Sequence, residues 1–514
     1  MDIKKKIAQL IIARLDGQDI RKKFSYYQSL VKKGIGGFII FGGEVKEVSS
    51  AIKKLQAVSE IPLFISSDIE RGLGQQLEGA TVFPPAMAVA NTINKNNASD
   101  IRLLRKSISI IAKEARAAGI NVIFSPVMDV NTNPQNPIIC TRAFSDNPSQ
   151  TAWFGREFIK GFQKHGLIAC AKHFPGHGNT SRDSHKELPV VRADMKRLRK
   201  VELHPFKEAI QAGVKMIMVG HLMVPAIDKK FPSSLSEKTI TGFLKNKMGF
   251  KGLVITDAMN MQALKSGEEK ASLLALNAGT DIILHPSNPE RVIDYLASKW
   301  DEIKPRAEES LKRILDTKKA FILHPSSLSP AYRTGRLQHI GGKTSRDLAY
   351  KLTQKSLKVK LDKKYSNLLE ILYFTTSKKE SPIILVIDDD NMKSGETFVN
   401  VLKKKYGKLK AYYTDNKTIL SKNPPSPPFV KGGMGGFLII AVFSKISAWK
   451  GRSGLSKELQ TILKTAVGNS KHSLIIGFCC PYFLSSFKAD AVIEAYSDSE
   501  AAQESAAEML FGPL

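Results

Sequence analysis

Between residues 7 and 320, short apolar β-rich runs return eight times, each separated from the next by a stretch with amphipathic helical spacing. The runs are Gln9 to Arg14, Gly37 to Phe41, Leu63 to Ser67, Val122 to Pro126, Leu167 to Ala171, Met216 to Gly220, Leu253 to Thr256 and Asp281 to Leu284. Strands joined through a helix come back parallel, because a tight hairpin cannot return the chain in its original direction. Eight such units predict an α/β protein whose parallel sheet closes on itself as a (β/α)8 barrel of the TIM type, over residues 1–322. Between the strands, Ile101, Leu104, Ile108, Ile111 and Ala115 recur at helical spacing and Gly119 supplies a stop. A further helix is predicted from Val201 to Ala212, ended by Gly213.

Barrels of this kind carry their chemistry at the C-terminal ends of the strands. Asp68 and Glu70 follow the third run, Asp129 and Arg142 the fourth, and Lys172 and His173 the fifth. His221 follows the sixth, Asp257 the seventh and His285 the eighth. Each taken alone is open to reading as a cap or a satisfied buried polar group, and that is the reading taken for Asp129 and His285. The series points to an active-site rim.

The densest polar stretch is Lys172-His173-Phe174-Pro175-Gly176-His177-Gly178-Asn179-Thr180-Ser181-Arg182-Asp183-Ser184-His185. A strand that runs out into a Gly-rich loop suits positioned chemistry, since strands hold and loops act. Asp183 and His185, two apart, share a face of a locally extended segment, so the carboxylate can fix the imidazole tautomer for general acid/base work. Three other readings stay open on the residues alone. His173, His177, Asp183 and His185 are ordinary zinc ligands, although Pro175 and the glycines deny them the shared face of a helix. The loop can also be solvated with incidental histidines, or Lys172 and Gly-rich backbone can hold an anion without the Walker spacing. The second decisive stretch, Gly252-Leu253-Val254-Ile255-Thr256-Asp257-Ala258-Met259, delivers a carboxylate to a strand end where it has no helix to cap at once.

The string Lys172 to Gly178, followed by Asp183-Ser184-His185, resembles the signature of glycoside hydrolase family 3, in particular its β-N-acetylhexosaminidase branch. Asp257, followed by a small residue and Met, is similar to the family's nucleophile motif. Asp68 in Ser66-Ser67-Asp68-Ile69-Glu70-Arg71-Gly72 resembles its glycone-binding Asp, and Arg142 resembles its Arg before a Phe-Ser-Asp-Asn-Pro turn. The resemblance implies a retaining β-glycosidase that needs no cofactor and no metal. Asp257 would attack the anomeric carbon and His185, paired with Asp183, would protonate the leaving oxygen from about 5 Å away. Asp68, Arg142, Lys172 and His173, with His221 as a lesser candidate, would hold the sugar. The implied substrate is a terminal β-linked N-acetylglucosamine on glycans or cell-wall fragments. Phosphorolysis stays an alternative, because an imidazole acid/base repels an anionic acceptor less than a carboxylate does. A metal-dependent hydrolase and a non-catalytic glycan-binding protein on the same barrel are the rivals from other classes. Two departures stand out: Asn179 where the pattern has Asp, and Glu70-Arg71-Gly72-Leu73-Gly74 in place of the commoner double glycine.

Residues 323–344 mix Pro, Ser, Gly and charge and read as a linker. Beyond it, a helix from Arg346 to Leu357, buried-strand runs at Ile383 to Ile387, Leu438 to Val442 and Leu474 to Phe478, and a closing helix from Ser499 to Phe511 predict a smaller α/β sandwich over 345–514. It resembles the second domain of many family 3 members. Within it, a Pro/Gly-rich insertion at about 422–436 lacks the composition to pack.

The formal charge of +29 invites a nucleic-acid reading, but residues 341–514 hold +10 of it and residues 1–340 the remaining +19. Charge so evenly spread reads as a solvated lysine face, and no nucleic-acid partner is expected. No apolar run approaches the 18 or so residues needed to span a bilayer. Cys140, Cys170, Cys479 and Cys480 suggest no disulfide framework, and Cys479 and Cys480 are neighbours that do not easily bridge. The start Met1-Asp2-Ile3-Lys4-Lys5-Lys6 is a poor secretory signal. The expectation is therefore a cytoplasmic protein with reduced thiols, an exported form staying open if the start is mis-set. The expected partner is a carbohydrate substrate, and no oligomeric state is legible.

Overall fold

A computed structural model of the chain describes residues 1–181, 188–261, 267–323, 337–368, 370, 382–390, 394–407, 409–415, 437–447 and 450–510. The eight runs become β1 (Ile11–Asp16), β2 (Gly37–Phe41), β3 (Phe64–Ser67), β4 (Val122–Ile123), β5 (Ile168–Phe174), β6 (Met216–Val219), β7 (Leu253–Thr256) and β8 (Ile283–Leu284). They are parallel and ordered β7-β6-β5-β4-β3-β2-β1-β8. The free edges meet where the Ile282 N–H donates to the Val254 carbonyl and the Thr256 N–H to the Ile282 carbonyl, both at 3.1 Å, so the sheet closes as a barrel.

Local chemistry shifts some boundaries. β4 is short because the Asn121 side chain does part of its pairing, accepting from Ile65 N at 2.9 Å and donating to Leu63 O at 3.0 Å. β5 runs further than expected and carries Lys172 and His173 within it. The helix predicted from Val201 to Ala212 is instead Met195–Lys200 followed by His204–Gln211, because Pro205 has no N–H for a helix interior and starts a new first turn.

The two faces of β1 and β2 can be told apart. Phe38 packs edge-on against Tyr27 of the helix Ile20–Lys32, with ring centroids 5.8 Å apart, so Phe38 and its register partner Ala13 face the helices. Strand alternation then turns Arg14, Asp16, Ile39 and Phe41 toward the barrel interior.

The described chain divides into two units. One comprises Met1–Val82, Asn94–Asn133 and Arg142–Arg346, and the other Phe83–Ile93, Pro134–Thr141 and Asp347–Leu514. The second holds β9 (Lys358–Leu361), β10 (Ile383–Asp388), β11 (Lys410–Asp415), β12 (Phe437–Ser444), β13 (His472–Cys479) and β14 (Ala491–Glu494), in the order β11-β10-β12-β13-β14-β9. Five of these strands are parallel and β9 is antiparallel to β14. One face packs Phe398, Leu402, Ala502 and Ala506, and the other packs Leu459, Leu463 and Ala466. β12, covered on both faces, is buried throughout, as its unbroken apolar sequence requires. β9 and β11 escaped the sequence reading because they are lysine- and tyrosine-bearing edges with half-exposed side chains. Most of the expected linker and all of the expected Pro/Gly-rich insertion at 422–436 lie outside the described residues. Among the described residues no helix is long and apolar enough to cross a membrane.

The expectation of four reduced thiols is corrected. Cys140 and Cys480, both in the second unit, form a disulfide across 340 positions of sequence, while Cys170 and Cys479 remain buried thiols. No local spacing can reveal such a pair. Since the cross-link closes a very long loop in the unfolded chain, Cys480→Ser is expected to lower the stability of the second unit by about 2–5 kcal/mol. Denaturant midpoints of the two proteins measure this, and coincident midpoints would refute it.

Candidate active site

At the C-terminal ends of β3, β4 and β5 the barrel gathers four charged side chains. Lys172 projects from β5 with 2% of its side chain exposed, and its Nζ lies 2.6 Å from Asp68 Oδ1 and 2.7 Å from Glu70 Oε1. Arg142 closes the group, its Nε 2.9 Å from Glu70 Oε2 and its Nη2 2.8 Å from Glu70 Oε1. The fork of Arg142 thus meets a carboxylate, as its geometry favours, and that carboxylate belongs to the protein. Burial alone would push the Glu70 carboxyl up, but the Arg142 and Lys172 charges overcome it and hold the group well below the usual range. Burial likewise works against the charge on Lys172, and Asp68 and Glu70 reverse that, so its ammonium stays protonated. Asp68 is the more open carboxylate, and among the described residues its Oδ2 has no protein partner. A sugar hydroxyl can donate there.

The Arg142 turn is built locally. Asn147 accepts from Ser149 N at 2.9 Å and Gln150 N at 3.1 Å, capping the helix Pro148–Lys164, with Pro148 in its first turn. The Phe-Ser-Asp-Asn-Pro string is therefore a helix start that anchors the turn downstream of Arg142.

His173 is oriented by Asp129, which is fully buried. Its Nδ1 lies 2.7 Å from Asp129 Oδ2, and the His177 N–H donates to Asp129 Oδ1 at 2.6 Å. With Nδ1 donating to a carboxylate, Nε2 is the nitrogen left to meet a substrate hydroxyl. His177 pairs through Nδ1 with Thr180 Oγ1 at 2.7 Å, and burial pulls its pKa down to about 4, so it is neutral. Gly178 is forced by close approach, since a Cβ there would stand 2.0 Å from the Val130 carbonyl oxygen. Asn179, the departure noted in the sequence, accepts from Thr132 Oγ1 at 3.3 Å.

Asp257 follows β7, its N–H donating to Val219 O at 3.0 Å and its Oδ1 accepting from Ala258 N at 2.8 Å. His221 stands behind that turn. Its Nδ1 lies 2.6 Å from Ser234 Oγ and its Nε2 3.1 Å from Ala258 O. Both ring nitrogens thus have protein partners, and the ring supports the peptide next to Asp257. The structure brings Asp68, Arg142 and Lys172 into one cluster and places His173 beside Lys172 on β5. Asp183 and His185 lie outside the described residues. Among the described residues no group of three His, Cys, Asp or Glu side chains is placed to hold a metal ion. Glu70, which the sequence places on the rim without a role, is the shared counter-ion of Arg142 and Lys172. Its signal was its place two residues beyond Asp68 on a strand-end turn, beside a buried Arg partner that the sequence does not reveal.

A closed parallel barrel with paired carboxylates and buried cations on its C-terminal rim has the architecture of a (β/α)8-barrel enzyme. Residues 2–317 match the Glycosyl hydrolase family 3 N terminal domain, and the chain belongs to that family. It is 33% identical over 336 residues to beta-hexosaminidase A of Pseudoalteromonas piscicida, covering 58% of this chain and 56% of the relative. It is 31% identical over 312 residues to a beta-N-acetylglucosaminidase/beta-glucosidase of Cellulomonas fimi, covering 58% and 54%. The aligned region spans about half the length of both curated relatives. Among solved structures it is similar to a glycoside hydrolase family 3 β-N-acetylglucosaminidase from Paenibacillus sp. str. FPU-7. The TM-score there is 0.81 at 25% identity, covering 99% of this chain and 96% of the other.

Proposed function

We propose that the chain is a retaining β-N-acetylhexosaminidase that releases terminal β-linked N-acetylglucosamine from glycans or cell-wall fragments. The observation that carries this reading is the Asp68–Lys172–Glu70–Arg142 cluster on the same rim as Asp257, in a family 3 barrel. A buried, neutralised set of donors and acceptors suits a polyhydroxylated ring, and a separate carboxylate at a strand end suits attack on carbon. Asp257 forms a bond to the anomeric carbon as the bond to the leaving oxygen breaks, and that oxygen takes the proton of His185. In the second step water gives a proton to His185 and its oxygen displaces Asp257. Asp183 holds the imidazole tautomer and stabilises the imidazolium. His221 acts through Ala258 by holding the Asp257 turn.

The test is a panel of aryl β-glycosides, the N-acetylglucosaminide and the glucoside, assayed with and without phosphate. Fast release from the N-acetylglucosaminide, independent of phosphate and with retained configuration, is expected. A sugar 1-phosphate product would shift the reading to phosphorolysis. His185→Ala is expected to slow a poor leaving group by about 10²-fold and an activated aryl group far less, since the lost proton matters only for the former. Equal slowing of both would remove His185 from the acid role. A cytoplasmic setting, with a part in peptidoglycan recycling, would require Cys140 and Cys480 to stay reduced, whereas a disulfide fits an oxidising compartment better. Thiol titration of protein taken directly from cells separates the two.

A further inference from the structure

The arc of the barrel formed by β8, β1 and β2 takes no part in the charged cluster, yet it carries a cation on its inner face. Arg14 lines the interior of β1, where barrel residues are ordinarily packed, but 46% of its side chain is exposed. It therefore reaches the open mouth. Its guanidinium carbon stands 4.8 Å from the ring centre of Phe41, the last residue of β2. Phe41 in turn lies 5.7 Å from the ring of His285, which follows β8. Phe41 ends β2, Arg14 lies near the end of β1 and His285 follows β8, on the same C-terminal rim of the barrel that carries Asp68 after β3. Burial first, and then Arg14, draw the His285 pKa down to about 4, so that ring is neutral and adds no charge. Among the described residues the polar contact of Arg14 is a 3.3 Å approach to Asp16 Oδ2, partly exposed on both sides and weak for that reason.

We propose that Arg14, stacked over Phe41 beside His285, recognises a carboxylate on the leaving-group sugar. The inference rests on the glycosidase reading above. With the β3–β5 ends taken by the N-acetylglucosamine under attack and β7 by the attacking carboxylate, the β8–β1–β2 arc is left for the leaving-group sugar. An arginine fork pairs with a carboxylate in two parallel hydrogen bonds, and stacking on Phe41 holds the guanidinium plane in place for it. Asp16 is released from Arg14 as the substrate carboxylate takes its place.

The experiment compares kcat/KM for two disaccharides, N-acetylglucosaminyl-β-1,4-N-acetylmuramic acid and its neutral counterpart N,N′-diacetylchitobiose. The wild type is expected to prefer the acidic disaccharide by about 10–100-fold, the size of a charge-assisted hydrogen-bonded pair. Arg14→Met should abolish the preference and Arg14→Lys keep part of it. About 1 M salt, which screens charges beyond about 3 Å, should shrink it in the wild type. A folding defect lowers both rates and leaves the ratio intact, so the ratio is the readout. A wild type without preference, or an Arg14→Met variant with the wild-type ratio, overturns the role of Arg14 and leaves the glycosidase reading standing. A wild type that frees N-acetylglucosamine from neither disaccharide nor from an aryl N-acetylglucosaminide overturns the glycosidase reading itself.

Discussion

Asp257→Ala is expected to lower kcat for an aryl N-acetyl-β-glucosaminide by roughly 10⁴–10⁶-fold, with the unfolding midpoint little changed. The large effect would follow from removing the carboxylate proposed to bond to the anomeric carbon. The small structural effect follows from what surrounds the residue. Its N–H to Val219 O bond is made by the main chain and survives substitution, and the Ala258 carbonyl stays tied to His221. The side-chain bond to the Ala258 N–H lies at a partly exposed turn, where water can replace it. Two further measurements pin the role. A slow fluorinated glycoside should leave a sugar on Asp257 that mass spectrometry can locate, and azide should restore turnover in Asp257→Ala by attacking from the vacated face. A label on Asp68 or Glu70 instead would move the nucleophile to β3.

Glu70→Ala is expected to cost about 3–5 kcal/mol of stability, because it leaves Lys172 and Arg142 buried with their shared counter-ion gone. The milder Glu70→Gln keeps the volume but removes the charge, and kcat/KM should fall by about 10²-fold as the two cations lose their fixed positions around Asp68. The pH dependence has a definite sign. Since the folded protein holds Glu70 below its ordinary value of 4.5, its stabilisation is fully present above that pH and shrinks as pH falls through the window below it. Urea midpoints of wild type and Glu70→Ala should therefore differ most at neutral pH and converge in acid. A constant difference across pH 3 to 7, roughly the range over which carboxylates titrate, would mean that Glu70 contributes packing rather than charge.

How much was readable in advance depended on distance along the chain. The barrel was legible because its signal is local: an apolar run, a helical spacing and a return, eight times over, admit few other closures. The strand-end positions of Asp68 and Asp257 followed from the same count, as did the place of Arg142 in the connection after β4, and β7 lies at Leu253–Thr256, where the sequence put it. The second unit's buried strands were legible for the same reason, while its edges were hidden by their lysines.

Other features belonged to the tertiary structure. Glu70 meets Arg142 across 72 positions and Lys172 meets Asp68 across 104. Neither the partners nor the displaced pKa of Glu70 can be read from spacing, because they depend on which strand ends the closed barrel makes neighbours. The same holds for His221, whose sequence context suits a sugar ligand but whose two nitrogens have partners at Ser234 and Ala258. Asp129 reads as an ordinary buried carboxylate until the fold puts His173 against it. The extreme case is Cys140–Cys480, paired across 340 positions. By itself the sequence determined the periodicity, and with it the sheet, its closure and the rim on which polar residues fall, since strand and helix repeats are set by a few adjacent residues. Which charges neutralise one another, which imidazole nitrogen stays open and where Arg14 points were decided only when register and barrel closure brought separate strands within hydrogen-bonding reach.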